Sequence, residues 1–254
     1  MARPTGPSSA SKKDWRARPP QEQHSKVTRH FLRFFLSLVL VGLVVALVVL
    51  VLPGCLPDVR LVCLPVTDYD MTMPPVPFAG RNVEEIRERL AGHGFEVSVW
   101  DDLQTSKNLA SLTNRLQGIA TTERTVLLLY VSAHGVSESG KAYLLCSDYQ
   151  PRSNPEGRFE FGELLRQIAA CRAKLKLLIL DAASIATDAR LGFVVNEFPR
   201  LAETAVRETA DPDLYVLMSH GPLQQSHAAY VAERSVFNYF VTEGLQGAAN
   251  RTDP

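Results

Sequence analysis

Two short stretches carry the residues whose types and spacing could do chemistry. One is LLLYVSAHG, ending at His134 and Gly135; the other is LKLLILDAAS, ending at Asp181, Ala182, Ala183 and Ser184. Imidazole is the commonest general base of acyl transfer, and it works when a thiol or hydroxyl stands within hydrogen-bonding reach. Both stretches are continuous apolar runs up to their last residues, as strands of a buried parallel sheet are. If the two strands are parallel neighbours, His134 and Asp181 emerge at one rim of the sheet. Open α/β sheets place their sites there, just past the carboxyl ends of the strands. Gly135 is expected to leave the backbone free to turn at the strand's end. Yet the second strand delivers two alanines to that rim. A lone histidine in such a run is more often a hydrogen-bonded structural residue than a base.

The elements that would position these residues read as an alternation of strand and helix. Apolar runs of strand length fall at 59–66, 95–100, 125–133, 142–148, 175–180 and 213–220. Helical spacing falls at 81–94, with Val83, Ile86 and Leu90 on one face, and at 106–120, opened by Ser106 as a cap. Further helices are expected over 160–173, 200–210 and 232–248, the last with an apolar face of Val236, Phe237, Phe240, Val241 and Leu245. Residues 67–80 form a proline-rich loop. The alternation predicts an α/β fold, a mostly parallel sheet with helices on both faces, in one domain over 59–254.

Charge is distributed unevenly along the 254 residues. Of 27 basic and 27 acidic side chains, residues 1–33 hold eight basic (Arg3 to Arg33) against Asp14 and Glu22, leaving 19 basic and 25 acidic beyond residue 57. A mildly acidic globular part argues against nucleic acid as partner. Phe34–Leu52 is uncharged and mostly branched. As a helix its 19 residues would reach about 28 Å, close to the hydrocarbon thickness of a bilayer. The reading is a disordered basic tail over 1–33, a transmembrane helix over 34–52 and a linker over 53–58. The basic tail places the N-terminus in the cytoplasm and the domain on the other side. A lipoprotein anchored at Cys55, in Leu52-Pro53-Gly54-Cys55, is the alternative. Cys55, Cys63, Cys146 and Cys171 have no metal-ligand spacing, and neither a metal nor a cofactor is expected.

The two chemical stretches, taken with KAYLLCSD (141–148) and RSVFNYFVTEGLQGAAN (234–250), resemble the caspase and metacaspase clan of cysteine peptidases (peptidase C14). LLLYVSAHG is similar to the clan's histidine strand, and KAYLLCSD to its Tyr-Leu-Leu-x-x-Asp strand. LKLLILDAAS is similar to its apolar strand ending in Asp-Ala-Cys. The last segment is similar to the Gly-Leu-x-Gly helix of bacterial caspase-like domains. The resemblance spans about 59–250 and implies the three-layer caspase-haemoglobinase fold, with His134 at the histidine of the catalytic dyad. His134 and Ala183 are 49 residues apart, against about 50 between His and Cys in caspases.

By that resemblance the nucleophile position falls on Ala183, whose methyl group cannot attack a carbonyl. The resemblance further implies substrate-binding roles for Asp181 and for Asn82, the latter standing where metacaspases carry a second Asp of an acidic pocket. It thus implies a membrane-anchored pseudopeptidase that binds a peptide or protein. Dimerisation with itself or with an active relative would use an exposed sheet edge. The rival expectation is a working hydrolase with a displaced nucleophile, Ser184 or a cysteine. Asp148 is expected to be structural, His220 and His227 to be solvated loop residues, and His93 to sit at a helix end. The clan's domain adds another strand after its last helix, whereas the sequence stops at Pro254; this predicts either a longer protein or an uncovered sheet edge.

Overall fold

A computed structural model describes residues 58–69, 73–91, 95–101, 103, 105–119, 124–184, 196–222 and 224–248. The proposed membrane segment, Cys55 and His93 lie outside these residues, and no described helix is long and apolar enough to cross a membrane. Seven strands form one sheet: β1 (Asp58–Pro65), β2 (Glu96–Val99), β3 (Thr125–Glu138), β4 (Lys141–Leu145), β5 (Arg158–Glu160), β6 (Leu175–Ser184) and β7 (Leu214–Met218). β2, β1, β3, β6 and β7 lie side by side and parallel. The helices are α1 (Ala79–Ala91), α2 (Leu109–Ile119), α3 (Phe161–Ala169), α4 (Phe198–Thr209) and α5 (Val236–Leu245). A two-residue hairpin, β8 (Ala228–Ala229) with β9 (Arg234–Ser235), precedes α5.

The period of two along β3 sorts the core into two layers. Leu127, Leu129, Val131 and Ala133 pack against α2, α3 and α4, where Leu112, Leu116, Leu164, Ile168 and Phe198 are buried. Val126, Leu128 and Tyr130 pack on the other side against Val83, Ile86 and Leu90 of α1 and Phe237 and Val241 of α5. The same period puts residues 179, 181 and 183 of β6 on the α1/α5 face together with 130, 132 and 134 of β3. α1 and α5 run side by side: Arg89 pairs with Glu243, and Glu85 meets both Arg234 and Asn238.

Three expectations are corrected. β3 does not end at residue 133: it runs on to Glu138, and its last residues pair antiparallel with β4. That strand extension is why the strand read over 142–148 extends the sheet antiparallel through β4 and β5. Gly135 therefore frees no turn. A Cβ there would stand 2.7–2.8 Å from the ring of Phe198, so the absent side chain is what lets α4 sit against the strand. Third, of the five residues assigned to one apolar face of α5, Phe237 and Val241 are buried, but Val236 and Phe240 are exposed.

Candidate functional site

β3 and β6 run in parallel with His134 opposite Ala183 and Ser132 opposite Asp181. His134, Asp181 and Ala183 therefore share one corner of the α1/α5 face at the carboxyl rim. Ser184 ends β6 opposite Gly135.

His134 is buried, and both ring nitrogens meet backbone carbonyls: Nε2 lies 2.8 Å from Pro74 O and Nδ1 lies 3.2 Å from Ala183 O. A neutral imidazole carries one N–H. A neutral ring can therefore donate to only one of these two carbonyls, of which Pro74 O is the nearer. Burial pushes the His134 pKa below its ordinary value, against the opposing pull of the two carbonyls, so the ring is neutral at physiological pH. Its position is held from behind. The His134 N–H donates to Tyr69 Oη at 3.0 Å, that hydroxyl donates to Leu145 O at 3.0 Å, and the Tyr69 and His134 rings pack with centroids 4.9 Å apart. An imidazole oriented by a carbonyl acceptor supplies one half of a general-base arrangement; the other half is an acidic proton within its reach.

Asp181 and Asn82 are brought together, but onto each other rather than around an open pocket. The Asp181 carboxylate is 4% exposed. Its Oδ2 accepts from Ser235 Oγ at 2.6 Å, Tyr130 Oη at 2.9 Å and Asn82 Nδ2 at 3.3 Å, and Ser226 adds a further hydrogen bond. Asn82 Oδ1 in turn accepts from the Ser235 N–H. Burial raises the Asp181 pKa; the Ser235, Tyr130 and Ser226 hydroxyls pull it back only in part, because they are neutral donors. Ser132 Oγ, buried opposite Asp181, has no hydrogen-bond partner among the described residues.

The three described cysteines are buried and free. Burial pushes Cys63 and Cys146 up to about 12, and raises Cys171 as well. None is a thiolate near neutral pH, as a nucleophile must be. His220 is corrected: it is buried rather than solvated, with Nδ1 3.0 Å from Ser219 Oγ, while that hydroxyl also reaches Ala182 O at 3.2 Å. His227 is exposed, as expected. The Asp148 carbonyl accepts from Asn154 Nδ2 in the turn after β4. Among the described residues no group of three or more acidic, histidine or cysteine side chains could hold a metal ion.

Sequence inspection passed over Pro74, Tyr69, Tyr130, Ser132 and Ser235. Tyr130 and Ser132 could have been found, because the period of two places them on the face of His134. Ser235 had a local signal, since its hydroxyl caps α5 by accepting from the Asn238 N–H at 2.9 Å. Pro74 and Tyr69 belong to the loop before α1 and had none.

The family model of the caspase domain matches residues 62–190, just over half of the chain, from β1 through β6. The chain belongs to the caspase-domain family. No curated protein matches this caspase domain in sequence. The crystal structure of protein GSU0716 from Geobacter sulfurreducens is similar in fold, with a TM-score of 0.52 at 14% identity, covering 75% of this chain and 83% of that one. The Drosophila initiator caspase Dronc aligns with a TM-score of 0.45 at 10% identity, over 73% of this chain and 62% of its own.

Proposed function

We propose that this caspase domain is a membrane-anchored pseudopeptidase, a binding or regulatory module whose cleft holds a peptide or protein segment without cutting it. The observation that carries the reading is Ala183 directly across from an oriented, neutral His134. The base stands ready and the atom it would deprotonate is a methyl carbon. Loss of the nucleophile alone costs a serine peptidase on the order of a millionfold in turnover. The closed carboxylate of Asp181 argues against a ligand chosen for a basic side chain. The anchor is the Phe34–Leu52 segment, and the basic tail before it sets the domain on the non-cytoplasmic side. Self-association, or pairing with an active relative, would follow the edge strand β7, whose one strand partner among the described residues is β6.

A second reading, a hydrolase with a relocated nucleophile, has one observation in its favour: the Ser219 hydroxyl 3.0 Å from the His220 imidazole. The nearby Ala182 carbonyl competes for the same proton. Incubating the full-length protein with peptides carrying Arg, Lys or Asp before the scissile bond tests both. The pseudopeptidase reading expects no cleavage. Cleavage lost in His134→Ala would overturn it, and cleavage lost in Ser219→Ala but kept in His134→Ala would establish the second reading.

A further inference from the structure

Of the seven large apolar side chains exposed among the described residues, five fall within eleven positions: Tyr230, Val231, Val236, Tyr239 and Phe240. Tyr230 is 73% exposed and Val231 wholly so, at the tip of the turn between β8 and β9. Val236, Tyr239 and Phe240 follow at helical spacing on the outward side of α5, opposite the buried Phe237 and Val241. Single exposed apolar residues need no explanation, but a continuous set of aromatic and branched ones does.

We propose that this surface rests on the bilayer that anchors the chain, so that the domain lies with its strands along the membrane plane and its α5 side down. The proposal rests on the anchor reading given above. Chain length argues for the lipid surface as occupant. Only residues 53–57 separate the apolar segment from Asp58, and five residues reach at most about 18 Å. A helix lying on a sheet holds its outer side chains about 15 Å from the strands. A domain lying on α5 therefore puts the start of β1 within reach of its tether. Were the strands upright on the amino edge, Val231 at the carboxyl rim would stand roughly one β1 length, about 26 Å, farther from the membrane. Side-chain chemistry agrees: tyrosine and phenylalanine suit the interfacial zone, and the Arg234 guanidinium, already paired with Glu85, lies over the Tyr239 ring at 4.7 Å. Arg234 is paired with Glu85 and offers no free cation, so the contact is mainly apolar and needs neither anionic lipid nor low salt. α1, on the same face, exposes Arg81, Arg87 and Glu88, which marks α5 as the side that is down.

The test uses the full chain with Cys55→Ser and Val231→Cys, labelled at the introduced thiol with an environment-sensitive dye, in nanodiscs of zwitterionic phosphatidylcholine. The buried native cysteines resist labelling because their thiols are protonated. Lipids carrying a spin-label quencher at the headgroup should remove roughly half of the emission at 231, as for a side chain at the headgroup boundary, and the loss should persist in high salt. The same dye at Arg207→Cys, exposed on α4 beyond the opposite face of the sheet, should keep its emission. Adding Tyr230→Ser and Phe240→Ser, both exposed and tolerant of change, should restore emission at 231. Equal quenching at 231 and 207, or none at 231 in a chain that resists carbonate extraction, overturns the docking and leaves the anchor standing. Release of the chain by carbonate overturns the anchor and the docking with it. Energy transfer between labelled copies at 231, lost on dilution, would identify a second copy as the occupant and overturn the proposal.

Discussion

Two aspartates at opposite ends of the parallel strands, Asp181 buried and Asp211 partly so, are treated in opposite ways. At the amino edge, Asp211 sits 2.8 Å from the ammonium of Lys176, which also donates to Ala169 O. Burial alone would raise the Asp211 pKa, but Lys176 and the Asp213 N–H hold it below its ordinary value. At the carboxyl rim, Asp181 is met by the hydroxyls of Tyr130 and Ser235 and the amide of Asn82, with no cation among these contacts, and its pKa is raised. The first carboxylate is neutralised by a countercharge and fastens β6 to the segment before β7. The second is satisfied in hydrogen bonds but not in charge, and it joins β3, α1 and β9 at the carboxyl rim of the sheet. A sheet tolerates such a residue where a site is built, and functional sites are where residues with shifted titration concentrate.

Mutation should separate the two carboxylates. Asp211→Asn leaves Lys176 charged and buried beside a neutral amide, and chemical denaturation should show a loss of about 3–5 kcal/mol. A loss below about 1 kcal/mol would erase the contrast. Asp181→Ala strands three buried donors and should cost about 2–3 kcal/mol. Asp181→Asn keeps an acceptor oxygen while removing the poorly compensated charge, so it should change stability by about 1 kcal/mol or less. Between those in kind is Gly135→Ala, whose Cβ has no room beside Phe198 and should cost about 1–3 kcal/mol by pushing α4 off β3.

pH sharpens the same contrast, with opposite signs. The folded pKa of Asp211 lies below its unfolded value, so its contribution is present above about pH 4 and is lost as the pH falls through the folded pKa. The folded pKa of Asp181 lies above its unfolded value, so the folded state holds that proton more tightly. Its contribution is fully present below about pH 4 and is lost as the pH rises through the folded pKa. Stability measured against pH should therefore be flatter below pH 4 in Asp211→Asn and flatter above pH 4 in Asp181→Asn. Identical profiles for the two variants would contradict the assignment.

Much of this was legible in the sequence where a single period decided it. The apolar runs of β3 and β6, and the spacing of Val83, Ile86 and Leu90, fixed two strands and a helix because burial leaves one period per element. The pairing of His134 with Ala183 followed from two parallel strands of similar length. What sequence could not supply was contact across long separations. Gly135 was read as a turn residue because its partner, Phe198, is 63 positions away and invisible to local pattern. The substrate-binding role of Asp181 came from the resemblance alone, and its hydrogen bonds to Ser235 and Tyr130, which lie on other elements, were invisible to local pattern. The outward stripe on α5 was read as core because apolar spacing does not say which apolar side chains find a neighbour.

The most direct test of the proposal that Ala183 stands at the nucleophile position is Ala183→Cys in the full-length protein, following alkylation of the introduced thiol by iodoacetamide against pH. With His134 paired directly opposite residue 183, the thiolate should form well below the ordinary cysteine value of about 8.5, and the double variant with His134→Ala should return it there. A thiol that titrates at the ordinary value whether or not His134 is present would mean that residue 183 is not the imidazole's partner, and the account of this cleft would be wrong.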